Sequence, residues 1–191
     1  MGEIHRHRID ATQRAAWRTR AALFAALIAG CLSVAPAFAL SNEEWVSAFV
    51  RFVDWPGLGS DNALVVCAPP GTPELDLVGK PVRGVSLLVL RLGNPRYVDR
   101  CQIFAALARP DKATETNGFD WTPWIAATRS KPILTIGRGT AACEQGAAIC
   151  LVPDDAGSGE SYRVNLETLA RAGLKVKSQL LRTPALLGKT E

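Results

Sequence analysis

The chain has 191 residues, 48% of them hydrophobic, and a formal net charge of +4, which suits one globular domain rather than two. Residues 1–39 carry five arginines against Glu3 and Asp10, so from Leu40 onward 17 basic residues face 16 acidic ones and no basic stripe remains for nucleic acid. Both histidines, His5 and His7, also lie in the leader, which removes Ser-His-Asp and Cys-His catalysis and nearly every catalytic zinc site from the rest of the chain.

Residues 1–39 read as an export signal: an Arg-rich start, an apolar run over 21–34, and Ala37-Phe38-Ala39 with small residues where signal peptidase inspects them. Cleavage there predicts a mature domain over 40–191. Two competing readings stand beside it. "IAGC", ending at Cys31, fits a lipobox in which Cys31 would be lipidated, and the apolar run left uncleaved would act as an anchor. The four cysteines that follow, Cys67, Cys101, Cys143 and Cys150, are most simply two disulfides in an exported domain. Of three pairings, the short gap between Cys143 and Cys150 favours a local bridge, leaving Cys67 with Cys101. No C-x-x-C occurs, so neither a thioredoxin-like pair nor a zinc knuckle is supported.

In chain order, the mature sequence opens with a helix. Ser41 and Glu44 form a capping box, Trp45, Phe49, Phe52 and Val53 recur on one face, and Pro56-Gly57 stops the run. "NALVVCA" (62–68) reads as a buried strand, followed by a Pro/Gly loop with one helical turn near Leu75. "GVSLLVLRLG" (84–93) and "CQIFAALA" (101–108) are the next strands, with "NPRYVDR" between them. Residues 110–120 are polar and expected to be exposed. Thr122 and Pro123 then suit an N-cap and first position of a helix through Ala127. "KPILTIG" (131–137), "AAICLV" (147–152) and "YRVNL" (162–166) are strands, and the last leads into a helix over 165–172 that Gly173 ends. "LKVKSQLL" (174–181) is expected to return to the sheet before or while turning into a final helix. Strands alternating with helices predict a three-layer α/β domain with a largely parallel sheet.

Two patterns suggest chemistry and are set aside on physical grounds. "ILTIGRGTAA" places Gly137, Gly139 and Ala142 in a G-x-G-x-x-A arrangement, but a dinucleotide site needs a helix opening there. The next strand begins too soon for one, so the glycines read as turn residues. Asp154 and Asp155 could serve a histidine-free hydrolase, yet "PDDAGSGES" reads as a solvated turn. No catalytic residue, metal ligand or cofactor is expected.

"FVRFVDWP" (49–56), Cys67 in the first strand, "CQIF" from Cys101, "ILTIG" from Ile133, "GAAICLV" from Gly146 and "YRVNLETLARAGLKVKSQLL" (162–181) occur in an order that resembles the YfiR family of periplasmic proteins over about residues 43–187. The resemblance implies a Rossmann-like fold without a nucleotide site and two disulfides, Cys67–Cys101 and Cys143–Cys150. It implies a repressor that binds the periplasmic region of an inner-membrane diguanylate cyclase or sensor kinase and is relieved by an outer-membrane, peptidoglycan-associated lipoprotein. Such a protein controls cyclic di-GMP and biofilm formation without touching the nucleotide. A homodimer is compatible with this reading, whereas nucleic acid is not a partner.

Aromatic residues on the first helix read as core. Trp121 and Trp124 follow the polar loop and are either an exposed anchor for a partner or buried beneath that loop. Asn165 is either a helix N-cap, the favoured role, or part of a partner-facing surface. The alternative function is a periplasmic small-molecule-binding protein that feeds a membrane sensor.

Overall fold

The structure, a computed structural model, describes residues 40–56, 63–73, 75–77, 81–109, 119–154 and 159–182. All of them belong to one compact unit, Phe38–Glu191. The export signal with Cys31, Asp155 and the polar loop over 110–118 lie outside the described residues.

Helix α1 (Asn42–Phe52) starts where the capping box places it. The Glu44 backbone N–H donates to Ser41 Oγ (3.2 Å), and the Ser41 N–H donates to Glu44 Oε2 (2.7 Å). Two donors that the helix itself cannot satisfy are thereby paired. Val53, which fits the helical periodicity, instead leaves the helix and begins a two-residue strand, β1 (Val53–Asp54). Five strands run parallel: β2 (Leu64–Ala68), β3 (Leu87–Arg91), β4 (Ile103–Ala106), β5 (Leu134–Arg138) and β6 (Ile149–Pro153). A sixth, β7 (Glu160–Val164), pairs antiparallel with β6, and the order across the sheet is β3-β2-β4-β5-β6-β7.

Strict alternation along the strands splits the core in two. Ile103, Ala105, Leu134, Ile136, Ile149 and Leu151 face α1, whose Trp45, Val46, Phe49 and Val50 complete one cluster. Phe104, Ala106, Cys67 and Cys150 face the other way, against Val98, Trp121, Trp124 and Ala142. Helices therefore cover both faces, and the architecture is the expected three-layer α/β sandwich. The second layer holds a 3-10 helix (Pro95–Arg100), α2 (Thr122–Thr128) and α3 (Thr140–Glu144). Helix α4 (Leu166–Arg171) and α5 (Ser178–Arg182) contribute Leu169 and Leu180 to the first cluster.

Several local expectations are corrected. Thr122 is the first helical residue rather than the cap, because Trp121 takes the cap position with no side-chain hydrogen bond. The Asp120 carboxylate instead accepts from the Thr122 N–H (2.9 Å). Leu75 is buried but not helical. The C-terminal segment does not rejoin the main sheet. Strand β8 (Lys175–Val176) pairs antiparallel with β1, Val53 opposite Val176 and Asp54 opposite Lys175. A helix does follow Gly139: α3 fits a single turn into what looked like too short a connection.

Candidate functional site

In open α/β sheets ligands settle outside the carboxyl ends of the strands, at the point where the strand order reverses. Here the chain passes from β2 outward to β3 and then back across to β4, which sets that point between β2 and β4. Next to it, Arg138 at the end of β5 lies along the carboxyl edge and is only 4% exposed. Its guanidinium donates to the carbonyl of Leu107 just past β4, to Asn42 Oδ1 at the start of α1 (2.9 Å) and to Glu160 Oε2 on β7 (2.9 Å), with Nε 2.7 Å from Glu160 Oε1. A fork bonded to Leu107 O, Asn42 Oδ1 and Glu160 Oε2 and neutralised by the Glu160 carboxylate ties four elements together and carries no uncompensated charge for an anionic ligand.

The glycine pattern beside it is closed for a different reason. A Cβ on Gly137 would stand 2.5 Å from Trp121 Cζ2 and 2.5 Å from Ala142 Cβ. The indole and α3 thus lie directly on the bare backbone, where a phosphate would need room. Gly139, with φ +91°, turns the chain into α3 and donates its N–H to Leu151 O (2.7 Å).

The aromatic candidates belong to the interior. Trp121 is 0% and Trp124 5% exposed. Trp124 stacks on Phe104 with centroids 4.3 Å apart, while Trp121 meets Phe104 edge-on at 5.8 Å. The Trp121 backbone N–H donates to Gln145 Oε1 (3.0 Å). The exposed-anchor reading of this pair is therefore corrected: as placed, neither ring is available to a partner. Asn165 Oδ1 accepts from the Thr168 N–H (3.0 Å) and caps α4. The half-buried Asn165 also lines an open hollow of about 420 Å³ beside Cys143 and Cys150, together with Arg163, Val164 and Leu166.

The four cysteines form Cys67–Cys101 and Cys143–Cys150. The first ties the end of the 3-10 helix to β2, and the second ties α3 to β6. Among the described residues, no three His, Cys, Asp or Glu side chains are grouped so as to hold a metal ion, and no helix is long and apolar enough to cross a membrane.

What remains on the surface is a knuckle between β3 and β4. Within Pro95–Arg100, Val98 is buried while Arg96, Tyr97, Asp99 and Arg100 are exposed. The Asn94-Pro95 pair that starts this helix is a recognisable start signal, with Asn94 Oδ1 accepting from the Arg96 N–H (2.9 Å).

Against known families, the model described as YfiR/HmsC-like matches residues 42–183, nearly all of the described fold. The chain belongs to the YfiR/HmsC-like family. No curated protein matches it. YfiR/HmsC-like proteins are periplasmic regulators of diguanylate cyclase signalling rather than catalysts, and the two disulfides suit an oxidising compartment.

Proposed function

We propose that the protein represses an inner-membrane diguanylate cyclase by binding that enzyme's periplasmic region, and thereby lowers cyclic di-GMP and restrains biofilm formation. The observation that carries this reading is the YfiR/HmsC-like match across residues 42–183. The carboxyl edge of the sheet supports it, since Arg138 there is committed to Glu160, Asn42 and Leu107. The mature domain starts at Leu40 after signal cleavage and acts by contact in the periplasm. Because the partner's catalytic domain lies across the membrane, binding works by preferring the inactive conformation of that partner. Near-complete repression requires a preference of roughly 10⁴-fold.

Deleting the gene should raise cyclic di-GMP, and restoring the exported domain should lower it in proportion to dose. An unchanged cyclic di-GMP level in the deletion strain defeats the reading. Intact mass of the exported protein checks the Leu40 start, and a lipid-modified Cys31 would replace it with an anchored form. The second reading, a small-molecule-binding protein feeding a membrane sensor, draws on the hollow beside Cys143–Cys150, whose 420 Å³ falls within the usual range for ligand sites. A small molecule carried through purification and seated there would favour it.

A further inference from the structure

The 3-10 helix Pro95–Arg100 is held from every side that faces the protein. Val98 is 1% exposed and sits in the second cluster. The Cys101 N–H donates to Val98 O (2.9 Å), and Cys101 is joined to Cys67 in β2. Asp99 is ion-paired to Lys131 Nζ at 2.5 Å, which ties the knuckle to the loop after α2. The outward side chains therefore stand on a backbone that cannot fold away from solvent.

Those side chains are unusual for this chain. Tyr97 is 55% exposed, whereas the other tyrosine, Tyr162, is buried with Oη donating to Leu180 O. Trp45, Trp121 and Trp124 are buried as well. The Arg100 guanidinium lies 5.6 Å from the centroid of the Tyr97 ring. The ring thereby orients the guanidinium, whose edge donors remain free for a further partner. Among the described residues, the one carboxylate in the knuckle is occupied by Lys131, and none pairs with Arg96 or Arg100. In a mature chain of almost balanced charge this is a local excess of guanidinium groups. Tyr and Arg on a rigid support are also the residue types that dominate binding energy at protein interfaces.

Resting on the repressor reading above, we propose that Arg96, Tyr97 and Arg100, beside the Asp99–Lys131 ion pair, form the contact face for an acidic segment of the partner's periplasmic region. The guanidinium forks take Asp or Glu carboxylates in paired hydrogen bonds, and the exposed Tyr97 ring adds apolar contact beside them. This chemistry recognises an extended, carboxylate-bearing stretch of protein.

The test measures binding of the purified mature protein to the purified periplasmic domain of the cyclase whose output the gene deletion changes. Wild type is compared with Arg96→Glu/Arg100→Glu, with Tyr97→Ala, with the charge-keeping Arg96→Lys/Arg100→Lys, and with Lys175→Glu on the opposite layer. Thermal melting confirms that each variant is folded. The double charge reversal should weaken binding by at least about tenfold and Tyr97→Ala by about tenfold. The lysine pair should stay within about threefold and Lys175→Glu should match wild type. Raising ionic strength should weaken wild-type binding and leave the reversed variant little changed. Folded charge-reversal protein that binds like wild type overturns the assignment and leaves the repressor reading intact. Wild type that fails to bind any such domain removes both. Arginine-dependent binding to phosphatidylglycerol vesicles in place of the domain overturns it in favour of a membrane-surface role.

Discussion

Replacing Gly137 by Ala adds one methyl group at the most crowded point of the second layer. The new carbon would lie 2.5 Å from Ala142 Cβ, 2.5 Å from Trp121 Cζ2 and 2.9 Å from Trp121 Cη2, where carbon atoms normally rest 3.5–4.0 Å apart. About 1 Å must be found on each neighbour. Neither yields cheaply. Ala142 Cβ is fixed to the α3 backbone, and α3 is held to β6 by Cys143–Cys150 and by the Gly139 N–H to Leu151 O. Trp121 is fully buried against Phe104 and Phe119. Overpacking of this kind costs about 1–3 kcal/mol, and two immovable neighbours place Gly137→Ala near 3. With a urea m-value of about 2 kcal/mol/M, the unfolding midpoint should fall by about 1.5 M. Gly93→Ala is the control: a Cβ there meets nothing within 4 Å, so its midpoint should move by less than about 0.3 M, corresponding to the ±0.5 kcal/mol of a neutral surface site. A Gly137→Ala protein whose midpoint matches that of Gly93→Ala refutes the close packing of Trp121 on β5.

Truncating Glu160 to Ala strands the buried Arg138 charge and should cost about 3 kcal/mol, toward the low end for broken buried pairs because Glu160 keeps some solvent contact; replacing Arg138 and Glu160 together by Met should cost less than the single change, by urea unfolding of each. Cys67→Ser/Cys101→Ser should destabilise by about 4 kcal/mol and Cys143→Ser/Cys150→Ser by about 2.5, following the 34- and 7-residue separations they close; the reverse order in a denaturant titration would contradict the loop-closure account. Burial raises the Tyr162 pKa above its ordinary 10.0, so the unfolded chain ionises first as pH climbs. This contribution to stability is complete below about pH 10 and is lost as pH rises through the folded pKa. Tyr162→Phe should flatten that alkaline loss in thermal melts while giving up the bond to Leu180 O, worth about 1 kcal/mol.

The large elements were legible because their signals are local. Ser41 and Glu44 announce α1 by capping chemistry, and continuous apolar runs such as "ILTIG" announce strands buried on both faces. Val53 was misplaced because its helical spacing is equally compatible with the strand that pairs it to Val176, a partner far away in sequence. Trp121 and Trp124 were ambiguous for the same reason: an aromatic pair after a polar loop fits a surface or an interior, and only the bare Gly137 backbone opposite decides. Arg138 is not legible inside its glycine pattern, since nothing local says that an arginine there meets Asn42, Leu107 and Glu160. Tyr97 and Arg100 were within reach, because Asn94-Pro95 marks a helix start whose 3-10 spacing could have been used to sort inward Val98 from its outward neighbours.

The pairing of β1 with β8 joins residue 53 to residue 176, so the first helix of the domain cannot finish docking until the last strand exists. At about 5–20 residues per second of synthesis, some 120 intervening residues impose a delay of roughly 6–24 s. Through that interval Phe49 has the parallel strands to pack on but lacks Tyr162, which later meets it edge-on at 5.4 Å, and Leu180. A chain emerging N-terminus first therefore holds its first helix against an unfinished core until the C-terminal segment arrives, and a holding factor or rapid delivery would shield it on whichever side of the membrane it folds. Long-range closure of this kind also slows folding itself, and every truncation that removes the C-terminal strand leaves β1 without its pairing partner.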